Sequence, residues 1–238
     1  MRLAFDIETL GLLHETPLPE ITCVCFHCDP HDGTTGATAV RLRLWGLPPE
    51  ERAANVQRIV ALLDAAEAIG GFNATLFDLE FVRRALEIDA PRALRWVLKC
   101  VDPYMVTRLV LGEGCGMNTM LALNGQPGKT GSGADAIRMA RDGEWPALLG
   151  YCYMDAKLTF ELCDREWLRL TPGVECRLDW GRTTPPKFRL TSSSSSSPTV
   201  ARAAEAETTA DTLLLRGLGM PMMLMPCGCA YDEGDEGI

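Results

Sequence analysis

From residue 2 to residue 7 apolar and polar positions alternate, with Leu3, Phe5 and Ile7 on one side, which predicts a β-strand. Residues 20–27 and 37–44 predict two more strands. Pro48 and Pro49 then open a helical stretch to residue 66, with Val56, Ile59, Val60, Leu62 and Leu63 as its inward stripe. The apolar run 68–72 predicts a short strand ending at Asn73. Residues 75–87 predict a helix with Leu76, Leu79, Phe81, Val82 and Leu86 inward. A strand over 97–101 ends at Asp102-Pro103, and a helix follows to residue 111. Glycines break the chain at 112–116. Residues 117–123 predict a short helix, 124–133 a loop, and 134–141 and 146–169 two closing helices. Strands come first and helices fall between the later ones. That order predicts an α/β layer architecture, a mixed sheet flanked by helices.

The pattern changes after Thr171-Pro172-Gly173. Residues 174–191 read as a hairpin or an irregular extension. The unbroken serine tract 192–197 and the segment beyond it, to residue 238, read as a low-complexity linker and a tail with too little apolar surface to offset its ordering entropy. The predicted organisation is therefore a catalytic-type domain over 1–173, an extension over 174–191 and a tail over 192–238.

Composition narrows the choices. The 238 residues carry 23 Lys+Arg against 32 Asp+Glu, a net charge of −9. Such a balance argues against holding nucleic acid by bulk charge. It leaves room for an enzyme that meets nucleic acid through metal ions, because that chemistry needs carboxylates. The most apolar late stretch, 212–226, is broken by Arg216, Gly217, Gly219 and Pro221 and is too short to span a bilayer, so no membrane association is expected. The opening residues reach Asp6 and Glu8 without the apolar core of a signal peptide. With ten scattered cysteines, this predicts reduced thiols in an intracellular compartment, cytoplasm or nucleus.

Three short segments carry candidate chemistry. In Phe5-Asp6-Ile7-Glu8-Thr9, both carboxylates project from one face of the strand. Two such groups repel unless a cation lies between them, and hard divalent ions prefer oxygen ligands. In Gly71-Phe72-Asn73, followed by Phe77-Asp78, the last acid falls at the start of a helix, where the positive helix end favours its ionised form. In Tyr151-Cys152-Tyr153-Met154-Asp155, Tyr151 and Asp155 stand four apart on one helix face. Each segment alone is commonplace: a polar strand edge, a helix-start acid, a half-buried tyrosine beside an aspartate.

In this order the three resemble the motifs of the DEDD superfamily of 3′–5′ exonucleases, which have a ribonuclease H-like fold. Within it, Gly71-Phe72-Asn73-x-x-x-Phe77-Asp78 and Tyr151-Cys152-x-x-Asp155-Ala156 are most similar to the exonuclease domain of family-B DNA polymerases and its stand-alone relatives. The resemblance covers about residues 1–170. A sister subclass places His five residues before the last Asp; here that residue is Gly150, and all three histidines precede residue 32, so the tyrosine (DEDDy) subclass is favoured.

The resemblance implies that Asp6, Glu8, Asp78 and Asp155 hold two divalent ions, Mg²⁺ or Mn²⁺. It implies that Tyr151 orients the attacking water, and that Thr9, Leu10, Asn73 and Phe77 contact the terminal nucleotides. The implied reaction is metal-dependent hydrolysis from the 3′ end of single-stranded DNA. RNA as substrate, and a non-catalytic ribonuclease H-like binding module, are the alternatives.

Other readings fare worse. Gly128-Lys129-Thr130 lacks the earlier glycine of a phosphate loop, since that position is Leu123, and Lys129 reads as a loop lysine or a substrate-phosphate contact. Cys23, Cys25, His27 and Cys28, with His31 near, miss the spacing of a structural zinc site; on a buried strand cysteine acts as a small hydrophobe. Arg83, Arg84, Arg92, Arg95, Arg138 and Arg141 are candidates for a local nucleic-acid groove, or ordinary helix-surface residues.

Overall fold

The computed structural model describes residues 1–29, 36–178, 180 and 187–190. A five-stranded sheet runs in the order β3-β2-β1-β4-β5, with β1 at Arg2–Thr9, β2 at Ile21–Asp29, β3 at Thr38–Arg43, β4 at Ala68–Gly70 and β5 at Cys100–Val101. The first three strands pair antiparallel, while β1, β4 and β5 run parallel. The expected mixed α/β sheet is therefore present, with β1 at its centre.

The alternation in β1 sorts its two faces. Leu3, Phe5 and Ile7 enter an apolar core with Val24, Phe26, Leu42, Ile59, Leu63 and Trp96. The helices that close this side are α1 (Pro49–Ala65), α2 (Asp78–Ala85) and α3 (Ala90–Leu98). Phe5 is 1 % exposed; burying a side chain of that size contributes roughly 1.5–3 kcal/mol. The opposite face, bearing Asp6 and Glu8, lies under α7 (Trp145–Cys163), which packs on β1 and β2. Because both faces of β2 are covered, its residues 21–28 are all buried. Between α3 and α7 the chain forms α4 (Pro103–Leu111), α5 (Met117–Leu123) and α6 (Gly133–Arg141).

The structure corrects several elements. Residues 97 and 98 belong to α3, started by Asp89, whose side chain accepts from the Arg92 N–H, with Pro91 in the first turn. Trp96 of that helix is fully buried and its indole N–H donates to Asp64 at 2.8 Å. Only Cys100 and Val101 remain as strand. Helix α2 starts at Asp78 rather than residue 75, because Asn73 takes a left-handed conformation (φ 62°) and turns the chain first. Leu76 is therefore 46 % exposed rather than inward.

The last helix stops at Cys163, and Leu168–Thr171 forms β6. Together with β7 (Val174–Arg177) and β8 (Lys187–Leu190) it makes a three-stranded antiparallel sheet. Leu168, Leu170, Val174 and Cys176 bury against Leu158 and Leu162 of α7 and Met120 and Leu121 of α5. Within 174–191, β7 and β8 pair antiparallel, and the residues that join them lie largely outside the described ones. Arg2 ties the α7 end to the main sheet, with ion pairs of 2.5 Å to both Asp29 and Asp164. The serine tract and the tail lie outside the described residues. Among the described residues no helix is long and apolar enough to cross a membrane.

Candidate active site

Strand β1 and helix α7 bring the first and third motifs together. Carboxylate oxygens of Asp6, Glu8 and Asp155 lie within 4.8 Å of one another. Asp155 is 1 % exposed. Asp78 reaches the same strand from the N-terminus of α2, where its Oδ1 accepts from the Ile7 N–H at 3.3 Å, between Asp6 and Glu8. It is the fourth acid of the cluster's surroundings, though outside the tight group of three.

Crowding and burial act alike on these acids. Burial, then the charges of Glu8, Asp78 and Asp155, push the Asp6 carboxyl well above the usual range. Burial, with Cys23 and Asp155 behind it, lifts Glu8 to about 9. Asp78 is lifted to about 7 by burial, against the opposing Ile7 hydrogen bond. Asp155 is raised by burial and held down by Lys129. A site of this kind stays protonated, or takes up cations. Asp6 Oδ2 is buried with no hydrogen-bond partner. A buried, unpaired carboxylate oxygen among an all-oxygen donor set fits a hard divalent ion.

Tyr151 lies on the same helix face as Asp155, one turn earlier, and is 8 % exposed. Burial and the Asp155 charge raise its hydroxyl above the normal tyrosine range, so it stays protonated at neutral pH. Beside it opens a cleft of about 450 Å³ lined by Thr130, Gly131, Arg138, Met139, Tyr151 and Met154, among others.

Lys129 enters this site from the loop before α6. Its Nζ lies 2.5 Å from Asp155 Oδ2 and 5.5 Å from the centre of the Tyr151 ring. Burial opposes its charge, but Asp155 and Asp6 outweigh that and hold the ammonium firmly protonated. From the sequence, Lys129 reads as a loop lysine or a substrate-phosphate contact. No periodic signal links residue 129 to residue 155, so its place among the acids is seen only in the fold.

The residues expected to meet substrate flank the acids. Leu10 packs beside Cys23, Cys25, Ala136 and Tyr151. Thr9 Oγ1 donates to the Gly11 carbonyl at 2.6 Å. Phe77 packs against the core, its ring 5.5 Å from that of Phe81. Asn73 has a buried Oδ1 without a partner. Its backbone N–H donates to Asp102 Oδ1 at 2.9 Å, and Asp102 Oδ2 accepts from both Thr75 N–H and Thr75 Oγ1. Asp102 also caps α4 through Tyr104 and Met105. One buried acid thus fixes the turn that delivers Asn73 and Asp78, a role that the Asp102-Pro103 strand-end signal did not reveal. Of the candidate arginines, Arg83 and Arg92 are paired with Glu80 and Asp64, and Arg138, which lines the cleft, is paired with Asp142 and Glu144.

No protein-family model and no curated protein matches the sequence. Solved structures do. The family B DNA polymerase from the hyperthermophilic archaeon Pyrobaculum calidifontis matches with a TM-score of 0.50 and 13 % identity, covering 69 % of this chain and 24 % of the polymerase. Product-bound exonuclease I matches with a TM-score of 0.39 and 18 % identity, over 63 % of this chain and 45 % of that one. The zinc-bound E. coli exonuclease I–single-stranded DNA complex gives 0.40 and 18 %, over 63 % and 42 %. The chain thus spans about a quarter of the polymerase and under half of exonuclease I. The polymerase likeness, together with the mixed sheet, shows that this chain shares a fold with part of that polymerase.

Proposed function

We propose that this protein is a metal-dependent 3′–5′ exonuclease that hydrolyses nucleotides from the 3′ end of single-stranded DNA. The observation that carries the reading is the convergence of Asp6, Glu8 and Asp155 within 4.8 Å under α7, with Tyr151 and Asp78 beside them. The fold shared with part of a DNA polymerase supports DNA as the substrate class.

Asp6, Glu8, Asp78 and Asp155 would hold two divalent ions, Mg²⁺ or Mn²⁺, which supply an activated water and charge stabilisation of the leaving 3′ oxygen. The remaining roles belong to the chain itself. Tyr151, its hydroxyl kept protonated by burial and the Asp155 charge, orients the water by hydrogen bonding and is too weakly acidic to act as its base. Lys129 places a fixed positive charge beside the reacting phosphate. Asn73 offers its unpartnered Oδ1 to the terminal nucleotide, while Thr9, Leu10 and Phe77 shape the surface against which the last bases rest.

The experiment is direct. A 5′-labelled single-stranded DNA and the matching RNA are incubated with the protein and Mg²⁺, Mn²⁺ or EDTA, and products are resolved on a gel. A ladder shortening from the 3′ end of the DNA, abolished by EDTA, is expected. Digestion of the RNA in preference would move the substrate to ribonucleic acid. Tight binding with no cleavage under any metal would replace the enzyme by a binding module.

A further inference from the structure

The strand register places two rows of side chains across the sheet face beneath α7. Asp6 stands opposite Cys25, and Cys25 opposite Arg41. Glu8 stands opposite Cys23, and Cys23 opposite Arg43. Directly opposed residues share a face, so each row reads carboxylate, thiol, guanidinium. Cys152, one residue after Tyr151 on α7, comes down over the thiols. The sulfurs of Cys23, Cys25 and Cys152 lie within 4.8 Å of one another, and all three residues are 0 % exposed.

We propose that Cys23, Cys25 and Cys152 form a second metal site, one for a soft monovalent ion, Cu(I), beside the hard-ion carboxylates. Three sulfurs bound at ~2.3 Å around one centre stand ~4 Å apart, a spacing that the trio reaches with small rotations. Among the described residues no further Cys, His, Asp or Glu joins the group. Zinc in a closed site wants four ligands, whereas soft thiolates also suit Cu(I). Burial under Ala136, Met139, Ala140 and Leu148 keeps water from serving as the fourth ligand. Binding is Cu⁺ plus three thiols giving a tris-thiolate complex of charge −2 and three released protons. A buried anion needs compensation, and the row through Cys25 ends in one guanidinium, Arg41, held 4.6 Å from the centre of the Tyr153 ring. The Arg43 guanidinium of the other row is engaged elsewhere, over Trp145 and donating to the Trp45 and Gly46 carbonyls. Loss of the Cys152 proton ends its donation to the Asp6 carbonyl, now 3.3 Å, so the two sites share a wall. The spacing of Cys23, Cys25, His27 and Cys28, with His31 near, speaks against a structural zinc site. In the fold His27 bonds Tyr153 instead, Cys28 faces the other core, and the third ligand comes from 127 residues further on.

The proposal does not depend on the nuclease reading and is tested by binding alone. The full chain, with Cys227→Ser and Cys229→Ser to remove the tail's own thiol pair, is titrated with Cu(I) under ascorbate against the chromophoric competitor bicinchoninate. One tightly held Cu(I) per chain is expected. Cys25→Ala and Cys152→Ala should each weaken it by more than the ~10–100-fold that loss of a mere outer-shell partner costs. Cys28→Ala should leave it unchanged. X-ray absorption at the copper edge of the unsubstituted trio needs no variant to fold, and should show three sulfurs at one distance. Copper lost to the competitor, equal affinity in all variants, or a first shell without three sulfurs would overturn the site.

Discussion

Glu8 is an acid whose charge the metal-free protein tolerates poorly, and replacing it with Gln should reveal that as a pH-dependent gain in stability. The unfolded chain releases the Glu8 proton near pH ~4, and the folded chain only near about 9. Between those values unfolding releases a proton, so rising pH favours the unfolded state. From pH 5 to pH 8 three pH units of linkage amount to at most ~4 kcal/mol. Glu8 is only partly buried, so solvent screening leaves about half of that, ~2 kcal/mol, as the working figure. For a chain of this size ~2 kcal/mol corresponds to a melting shift of about 4–8 °C. Asp78, lifted to about 7, adds a loss of the same sign through the same window. The assay is thermal unfolding in EDTA at pH 5 and pH 8. The unsubstituted protein should melt lower at pH 8, the Glu8→Gln variant should lose clearly less, and excess Mg²⁺ should restore the parent at pH 8. A parent melting temperature that rises from pH 5 to pH 8 in EDTA, or an identical fall in the variant, would refute the crowded-carboxylate argument.

Three further outcomes are expected. Tyr151→Phe should slow turnover while calorimetric Mn²⁺ binding survives, whereas Asp155→Ala should weaken both; equal loss of Mn²⁺ affinity in the two would misassign the tyrosine. Lys129→Met should free Asp155 from its ammonium and tighten Mn²⁺ binding roughly tenfold, ~1.4 kcal/mol, while lowering turnover; weaker binding would show that the ammonium supports the ion rather than competing with it. Asp102→Ala strands the amides of Asn73 and Thr75 and should cost about 2–4 kcal/mol in urea unfolding, so a change under ~0.5 kcal/mol would remove its anchoring role.

What could be read in advance follows the range of the interactions. Strand β1 is legible because its alternation is local, and that alternation also put Asp6 and Glu8 on one face. Tyr151 and Asp155 were legible as an i, i+4 pair. Helix α3 was misread because Val97 to Val101 looks like a strand; the Asp89 cap and Pro91 were the signals that outweigh it. The overrun of α7 has a similar cause, since no Gly or Pro stands between Cys163 and Leu168 to mark the stop. Lys129, Asp102 and Cys152 act across 26, 29 and 127 residues, to Asp155, Asn73 and Cys25. No local pattern encodes such distances, and they emerge only when α7 settles on the sheet.

The central claim is that the carboxylates under α7 hold the ions that cut the chain from its 3′ end. It is tested most directly by Asp6→Asn, which keeps the side-chain shape and removes the charge of the acid with the orphaned oxygen. Cleavage of 5′-labelled single-stranded DNA in Mg²⁺ should fall at least ~100-fold, with the melting temperature in EDTA unchanged or raised. Full cleavage by a folded Asp6→Asn protein, or by the parent in excess EDTA, would contradict the account.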